Sequence, residues 1–127
     1  LSLDHGPCVV KRVTGCGAGY DYLAVAPSGD LYPCHQFVGQ EQFKLGTVYE
    51  GITLPEISRE FQAVNLYAKE GCSDCWARFF CSGGCLAHAY FANGDFRKPD
   101  AMACALQKKR LECALYVQAK TSLAQER

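Results

Sequence analysis

The sequence predicts a small irregular α+β domain with one β-hairpin, two to three helices and long loops that carry cysteines. Three features of the 127-residue chain indicate this fold class. Strand-compatible residues flank a turn, later stretches have the apolar spacing of helices, and most of the nine cysteines lie between these elements. A hydrophobic fraction of 49% suffices for one ordinary core. No internal repeat indicates a second domain, so we expect one domain over residues 1–127.

Charge and hydropathy exclude several partner classes. Thirteen basic residues balance thirteen acidic ones, so no strong field favours nucleic acid or an anionic membrane. No apolar run approaches the roughly 20 residues that span a bilayer, and no secretory signal is present at the start. Because the first residue is Leu1 rather than methionine, we expect a piece of a longer chain.

The first predicted element is a β-hairpin. Residues 1–19 contain turn-forming residues and little periodicity, so they are predicted to be mostly loop. Val25 and Leu31 then lie in strand-compatible segments, and residues 27–30 (Pro-Ser-Gly-Asp) supply the turn between them. The second strand is expected to deliver Cys34 at its far end.

Residues 53–71 change to helical spacing. Apolar residues recur there at three- and four-residue steps; they are Leu54, Ile57, Phe61 and Val64. Thr53 followed by Glu56 has the pattern of a capping box, and Pro55 suits a first helical turn. Gly71 is a natural stop.

Two further helices are predicted toward the C-terminus. One begins near Cys85 and includes residues 86–92, and the other covers residues 101–120. The last helix places its apolar residues on one broad side; they are Leu106, Leu111, Ala114, Leu115 and Val117. Cys113 lies on the same face, so we expect a buried free cysteine that packs as a small hydrophobe.

Four cysteines between Gly71 and Cys85 have the spacing C-x2-C-x5-C-x3-C. Disulfides are disfavoured, because nine cysteines are an odd number and the chain is large enough not to need them. Thiolates on metal in a reducing compartment are the better interpretation. We therefore expect a cytoplasmic protein.

Spacing alone leaves two kinds of metal group open. Cys72 and Cys75 form a pair of the kind that zinc uses, and the count of cysteines permits two zinc ions. An iron–sulfur cluster is bulkier and takes its ligands from a loop that wraps around it. In ferredoxins the last cysteine of a close run often binds the other cluster. Cys85, near a helix start, would be turned toward a second site in the same way.

The residues between these thiols favour iron–sulfur. Gly83 and Gly84 would let the backbone approach an anionic cluster and offer N–H donors. Trp76, Phe79 and Phe80 would shield it from water. Each feature alone is more often an ordinary turn or core residue, and only their interleaving with four thiols favours a cluster.

Seven cysteines and one glycine extend this pattern over most of the chain. Twelve residues separate Cys16 from Gly29, four more precede Cys34, and Cys104 follows the four-cysteine run. This pattern resembles the SPASM domain, the C-terminal auxiliary-cluster module of many radical S-adenosylmethionine (SAM) enzymes that modify peptides. Residues 16–48 are most similar to the maturases of six-cysteine SCIFF peptides, which form thioether crosslinks from cysteine sulfur to backbone carbon.

The resemblance implies two [4Fe-4S] clusters with crossed ligation. The outer cluster would be held by Cys72, Cys75, Cys81 and Cys104. The inner cluster would be held by Cys16, Cys34 and Cys85, with Cys8 as the candidate fourth ligand. Some relatives leave that iron open, which would let a substrate thiolate bind.

His35 is the candidate catalytic residue. Sulfatase-maturing relatives carry an aspartate directly after the matching cysteine, where it is proposed to accept a proton. Histidine titrates near neutral pH and could accept a thiol proton at this position. The alternatives are a donor to the cluster or an ordinary strand-end residue. His5 and His88 are weaker candidates.

The catalytic half of such an enzyme is missing from this sequence. The C-x3-C-x2-C spacing that holds the SAM-cleaving cluster is absent, and 127 residues leave no room for a (β/α) barrel. We expect a module that is not catalytic alone, while the barrel of the same polypeptide binds SAM and a third [4Fe-4S] cluster. The other expected partners are a Cys-rich precursor peptide and an external electron carrier. A free-standing electron carrier and a structural zinc module are the alternatives.

Overall fold

A four-stranded antiparallel sheet in the order β1-β2-β3-β4 occupies the first half of the chain. The structure, a computed structural model, describes residues 9–125. The strands are β1 (Ala24–Val25), β2 (Asp30–Tyr32), β3 (Gly46–Thr47) and β4 (Gly51–Ile52). Ala24 pairs with Tyr32 and Val25 with Leu31, which confirms the predicted hairpin. The structure adds β3 and β4, whose two residues each are too few to show an alternating pattern.

The turn of this hairpin requires a glycine at position 29. Gly29 has φ of 90°, in the left-handed region that side chains disfavour. Its N–H donates to the carbonyl of Ala26 at 2.8 Å and closes the turn. A Cβ at this position would lie 3.1 Å from Cγ2 of Val48, so space as well as conformation favours glycine.

Five α-helices lie within the described residues. They are α1 (Val9–Thr14), α2 (Pro55–Ala63), α3 (Arg78–Cys81), α4 (Leu86–Asn93) and α5 (Ala101–Gln125). The α+β class and the starts of the last two helices are confirmed. The prediction of loop over residues 1–19 is wrong where α1 forms. This helix has six residues, which are too few to show the apolar periodicity that predicts a helix.

The predicted helix over residues 53–71 is in fact two shorter elements. α2 ends at Ala63, and a 3-10 helix follows over Leu66–Ala68. The side chain of Asn65 causes the restart, because its Oδ1 accepts from the N–H groups of Tyr67 at 2.9 Å and Ala68 at 3.2 Å. The capping box is also wrong. Leu54 is the N-cap, and the Thr53 hydroxyl instead donates to the carbonyl of Leu45 at 3.4 Å.

An aromatic core joins these elements. Phe37 is fully buried, and its ring centroid lies 4.8 Å from that of Phe43 and 5.4 Å from that of Phe61, both in edge-to-face geometry. Cys34 and Leu86 belong to the same buried cluster. The core therefore anchors two cysteine-bearing segments, the end of the hairpin and the start of α4.

The long helix α5 packs through a narrow contact. Leu111 is buried, whereas Leu106, Leu115 and Val117 are each more than half exposed. The predicted broad apolar side is thus wrong, because the apolar residues of α5 are spread around the helix and do not form one stripe. Cys113 is exposed, which corrects the prediction of a buried thiol. Within residues 9–125 no helix is long and apolar enough to cross a membrane.

Candidate metal centres

Four thiols line one narrow cavity. They belong to Cys72, Cys75, Cys81 and Cys104, the four residues predicted as outer ligands. Leu66 and Ala77, both almost fully buried, line the same cavity and make it apolar. We call these four residues the outer group.

Local hydrogen bonds place each thiol of the outer group. The N–H of Cys75 donates to the carbonyl of Cys72 at 3.2 Å, and this turn leads into α3. Cys81 ends α3, and its N–H donates to the carbonyl of Ala77 at 2.9 Å. Cys104 lies in the first turn of α5, where the Asp100 carboxylate accepts from the N–H of Met102 at 3.0 Å. Two short turns and a capped helix start therefore present the four thiols.

A second set of thiols, the inner group, consists of Cys16, Cys34 and Cys85. Cys34 is buried at the end of the hairpin, and Cys85 is the N-cap of α4. The loop that carries Cys16 is tied to the same place, because the N–H of Gly19 donates to the carbonyl of Pro33 at 2.9 Å. The inner group thus combines three distant parts of the sequence.

Two polar side chains donate to sulfur in the inner group. The Tyr22 hydroxyl donates to Sγ of Cys16 at 4.0 Å, and Nε2 of Gln36 donates to Sγ of Cys85 at 3.5 Å. Sequence reasoning missed both residues, because nothing in the cysteine spacing marks them. The signal that could have found them is proximity along the chain, since Gln36 is two residues from Cys34 and Tyr22 six from Cys16.

Burial and neighbouring thiols raise the pKa of a buried cysteine in each group. Burial raises the pKa of Cys72, and the neighbouring thiols of Cys104, Cys81 and Cys75 raise it further. Burial likewise raises the pKa of Cys34, where Cys85 and Cys16 add to the effect. Binding of a metal group must therefore displace thiol protons, since thiolates are the ligands.

The three thiols of the inner group also affect the pKa of Tyr22. Burial and the adjacent Cys16, followed by Cys34 and Cys85, raise the pKa of Tyr22 to about 12. Its hydroxyl therefore stays protonated near neutral pH and remains a donor toward sulfur.

The two groups adjoin at the turn between α3 and α4. Ser82, Gly83 and Gly84 have φ of 57°, 78° and 72°, so the chain reverses between Cys81 and Cys85. A cavity of about 300 Å³ lies beside this turn and is lined by thiols of both groups, namely Cys81, Cys85 and Cys104. Neighbouring cysteines of one motif thus face different groups.

The donor set suits an iron–sulfur cluster. Thiolates are the soft ligands that bind zinc or iron–sulfur. No group of three or more His, Cys, Asp or Glu side chains among residues 9–125 is gathered tightly enough for a single metal ion. The outer thiols line one narrow apolar cavity and offer four soft ligands there.

Residues 16–76 match the SPASM family of iron–sulfur cluster-binding domains. These residues form a SPASM domain. The matched range includes Cys16, Cys34, Cys72 and Cys75, together with the turn at Gly29. Iron–sulfur cluster binding is therefore the chemistry of the family that residues 16–76 match.

Curated relatives share the SPASM domain region of this chain. The PqqA peptide cyclase of Rhodopseudomonas palustris is 32% identical over 101 residues, which are 76% of this chain and 26% of that protein. The subtilosin biosynthesis protein AlbA of Bacillus subtilis is 32% identical over 95 residues, 69% of this chain and 20% of that protein. An uncharacterized protein of Archaeoglobus fulgidus is 28% identical over 99 residues, 76% of this chain and 24% of that protein. The matched region thus spans about a quarter or less of each relative.

Gly83 and Gly84 chiefly shape the turn, and the N–H of Gly84 is not free for the predicted role as a donor to a cluster. The N–H of Gly84 donates to the carbonyl of Cys81 at 3.2 Å, so this donor is already used within the turn. The glycines chiefly supply the left-handed conformation that reverses the chain. Their carbonyls accept from Nζ of Lys69, at 2.7 Å for Gly83 and 3.4 Å for Gly84. Sequence reasoning missed Lys69, because lysine is almost never buried.

The aromatic residues between the outer thiols do not form the predicted shield. Trp76 and Phe80 are 54% and 42% exposed. Phe80 lies under the guanidinium of Arg12 at 5.3 Å, and Phe79 under that of Arg78 at 4.7 Å. Leu66 and Ala77 provide the apolar lining instead, as described above. A single sequence does not show which apolar residues of a motif turn inward.

The remaining predicted site residues are more peripheral. His35 is exposed at the start of a short 3-10 helix, directly after Cys34. His88 is exposed and lines the cavity of about 300 Å³. Cys8 and His5 lie outside the described residues. Cys113 lines a separate surface depression with Ala114 and Arg110 and joins neither group.

Proposed function

We propose that this chain is the auxiliary-cluster module of a radical SAM enzyme that matures peptides by forming cysteine thioether crosslinks. In this proposal the outer group holds one [4Fe-4S] cluster, and the inner group, completed by Cys8, holds another. The observation that carries the proposal is the division of seven thiols into a group of four around one cavity and an adjoining group of three. The longer polypeptide would supply the SAM-binding barrel and a third cluster.

The peptide substrate class is supported by the relatives. One is named as a peptide cyclase, and another as a protein of bacteriocin biosynthesis. The SCIFF type of substrate rests on the likeness of residues 16–48. A Cys-rich precursor peptide, an external electron carrier and a reducing cytoplasm complete the proposal.

The residues of this chain would hold and tune the clusters. Bound clusters supply one-electron redox chemistry, with potentials that depend on hydrogen bonds to sulfur and on burial. Leu66 and Ala77 give the outer thiols an apolar surface on one side, while Tyr22 and Gln36 donate toward sulfur in the inner group. Cys16 is exposed, so the inner group is the one that a peptide can approach.

His35 is the candidate proton acceptor in this proposal. It is exposed and directly follows Cys34, so it borders the inner group without being buried in it. A thiol of the peptide that approached this group would meet an imidazole that can act as a general base.

Anaerobic reconstitution of the purified protein tests the proposal. The two auxiliary clusters should contribute about eight irons and eight sulfides per chain. Cys104→Ala should remove the outer cluster alone and therefore about half of that iron. Cys113→Ala, on the same helix but in neither group, is the matched control and should keep full loading. A colourless, zinc-containing protein without labile sulfide would overturn the proposal in favour of a structural zinc module.

A further inference from the structure

Lys69 is the one charged side chain that is buried among residues 9–125, with an exposed fraction of 5%. Burying an ammonium group without a partner is costly, so a buried lysine requires compensating contacts. None of the three ion pairs found among the described residues includes Lys69. What surrounds this amine therefore indicates why it is buried.

The amine is bound to the turn that separates the two thiol groups. Its Nζ lies 2.7 Å from the carbonyl oxygen of Gly83 and 3.4 Å from that of Gly84. A Cβ on Gly83 would lie 3.1 Å from Cδ of Lys69, so the lysine stem also packs against this turn. Lys69 thus holds the segment that directs Cys81 to the outer group and Cys85 to the inner group.

The electrostatic surroundings of Lys69 are thiols of both groups. Burial lowers the pKa of Lys69, whereas Cys72 and Cys81 of the outer group and Cys85 and Cys16 of the inner group favour its charged form. Lys69 in turn favours the thiolate of Cys72. A positive charge at this place faces both sets of candidate ligands at once.

We propose that Lys69 is a positioning residue shared by the two cluster sites, which clamps the Gly83–Gly84 turn and gives both clusters one buried counter-charge. This inference rests on the proposed function. A cluster held by thiolates is anionic, and it becomes more so on reduction. A buried cation stabilises the reduced form more than the oxidised form, so it raises the reduction potential of each cluster.

The test measures midpoint potentials of the reconstituted protein by redox titration followed with electron paramagnetic resonance. Lys69→Gln keeps an N–H donor but removes the charge, and Lys69→Arg keeps both. Lys108→Gln is the matched control, because Lys108 lines the cavity of the outer group but is exposed. Solvent therefore screens the charge of Lys108. Iron and sulfide are counted for every variant.

We expect Lys69→Gln to make reduction of both auxiliary clusters at least about tenfold less favourable, a shift of about 59 mV to lower potential for a one-electron couple. Lys108→Gln should shift either potential by much less, and Lys69→Arg should restore the original values. A turn clamp without an electrostatic role would not move the potentials of a fully loaded Lys69→Gln protein. Full loading with unchanged potentials, or equal shifts for Lys69→Gln and Lys108→Gln, overturns the inference.

The inference can still be tested if the Lys69→Gln variant does not fold. If Lys69→Gln fails to load iron, then Lys69→Arg must load both clusters at the original potentials, and failure of both variants overturns the inference. A wild-type protein without iron–sulfur clusters would instead overturn the proposed function itself. The two failures are therefore distinguished by the iron content of the wild-type protein.

Discussion

At the scale of single residues, the ionisation of Tyr22 depends on burial and on the thiols of the inner group. The pKa of its hydroxyl is raised to about 12, first by burial and then by Cys16. The folded protein therefore holds a proton that an ordinary tyrosine loses near pH 10. The contribution of Tyr22 to stability is complete below about pH 10 and decreases as pH rises toward about 12.

The titration of Tyr22 gives the first prediction. In the cluster-free protein, the absorbance change of tyrosine ionisation should include a step near pH 12 that disappears in Tyr22→Phe. The loss of unfolding free energy between about pH 10 and 12 should also be smaller in that variant. Tyr49→Phe is the control, since the side chain of Tyr49 is 89% exposed to solvent. If Tyr22→Phe and Tyr49→Phe gave the same curve, the link between Tyr22 and the thiols would be wrong.

Thiol reactivity gives a second prediction at this scale. Cys113 is exposed and belongs to neither group, whereas the proposed ligands would be bound to iron in the loaded protein and so be withheld from the reagent. Under native, oxygen-free conditions, iodoacetamide should label Cys113 of the cluster-loaded protein and spare the seven proposed ligands. Peptide mass spectrometry reads the positions.

The same experiment decides the role of Cys8. As the proposed fourth ligand of the inner group, it should be protected in the loaded protein and labelled after the clusters are removed. Labelling of Cys8 in the loaded protein would leave the inner group with three thiols from this chain. Cys113 serves as the internal standard, because its labelling should not depend on the clusters.

At the scale of elements, the break after α2 has an identifiable cause. Asn65 caps the 3-10 helix that leads toward Lys69 and Cys72. Asn65→Ala should therefore lower the free energy of unfolding by about 1 kcal/mol, the usual value of a lost cap. The urea midpoint of the cluster-loaded protein should fall, with an unchanged dependence on urea concentration.

Glu56→Gln is the matched control for the Asn65 cap. The sequence pattern assigns Glu56 to a capping box, but Leu54 rather than Thr53 is the N-cap of α2. Neutralising Glu56 should therefore leave the midpoint close to that of the original protein. A larger loss for Glu56→Gln than for Asn65→Ala would contradict the observed helix ends.

Local chemistry decided which elements could be predicted. The hairpin and the starts of α4 and α5 depend on residues close in sequence, such as the turn glycine Gly29. The strands β3 and β4 were missed because each has only two residues, and because β3 pairs with β2 across a long intervening loop. The exposure of α5 could not be foreseen, because helical spacing shows where apolar residues lie but not what covers them.

At the scale of the whole molecule, the family resemblance implied a division of the thiols into two ligand sets, but it gave no indication of the side chains around them. Tyr22 and Lys69 lie close in sequence to the thiols of Cys16 and Cys72, whereas Gln36 reaches the sulfur of Cys85 across 49 positions of the sequence. Spacing rules describe ligands that share a motif. The donors and the buried cation are set by packing, and only the structure shows them.

The attachment of α5 to the rest of the molecule should depend on the metal centres. Within the described chain, Leu111 is the buried residue of this helix, and Cys104 in its first turn lines the cavity of the outer group. A cluster held by Cys104 would tie the start of α5 to the turns that carry Cys72 and Cys75. Ligand binding to the folded form stabilises the elements that contribute ligands.

Hydrogen exchange should reveal this dependence. Removing the clusters should reduce the protection of amides in the first turns of α5, while those of the aromatic core around Phe37 and Phe61 stay protected, because that core is buried without help from metal. Cys104→Ala should reproduce the loss in α5 with the inner cluster still present, and Cys113→Ala should not. Equal loss of protection in the aromatic core and in α5 would mean that the clusters hold the whole domain together, and that α5 is no separate unit of stability.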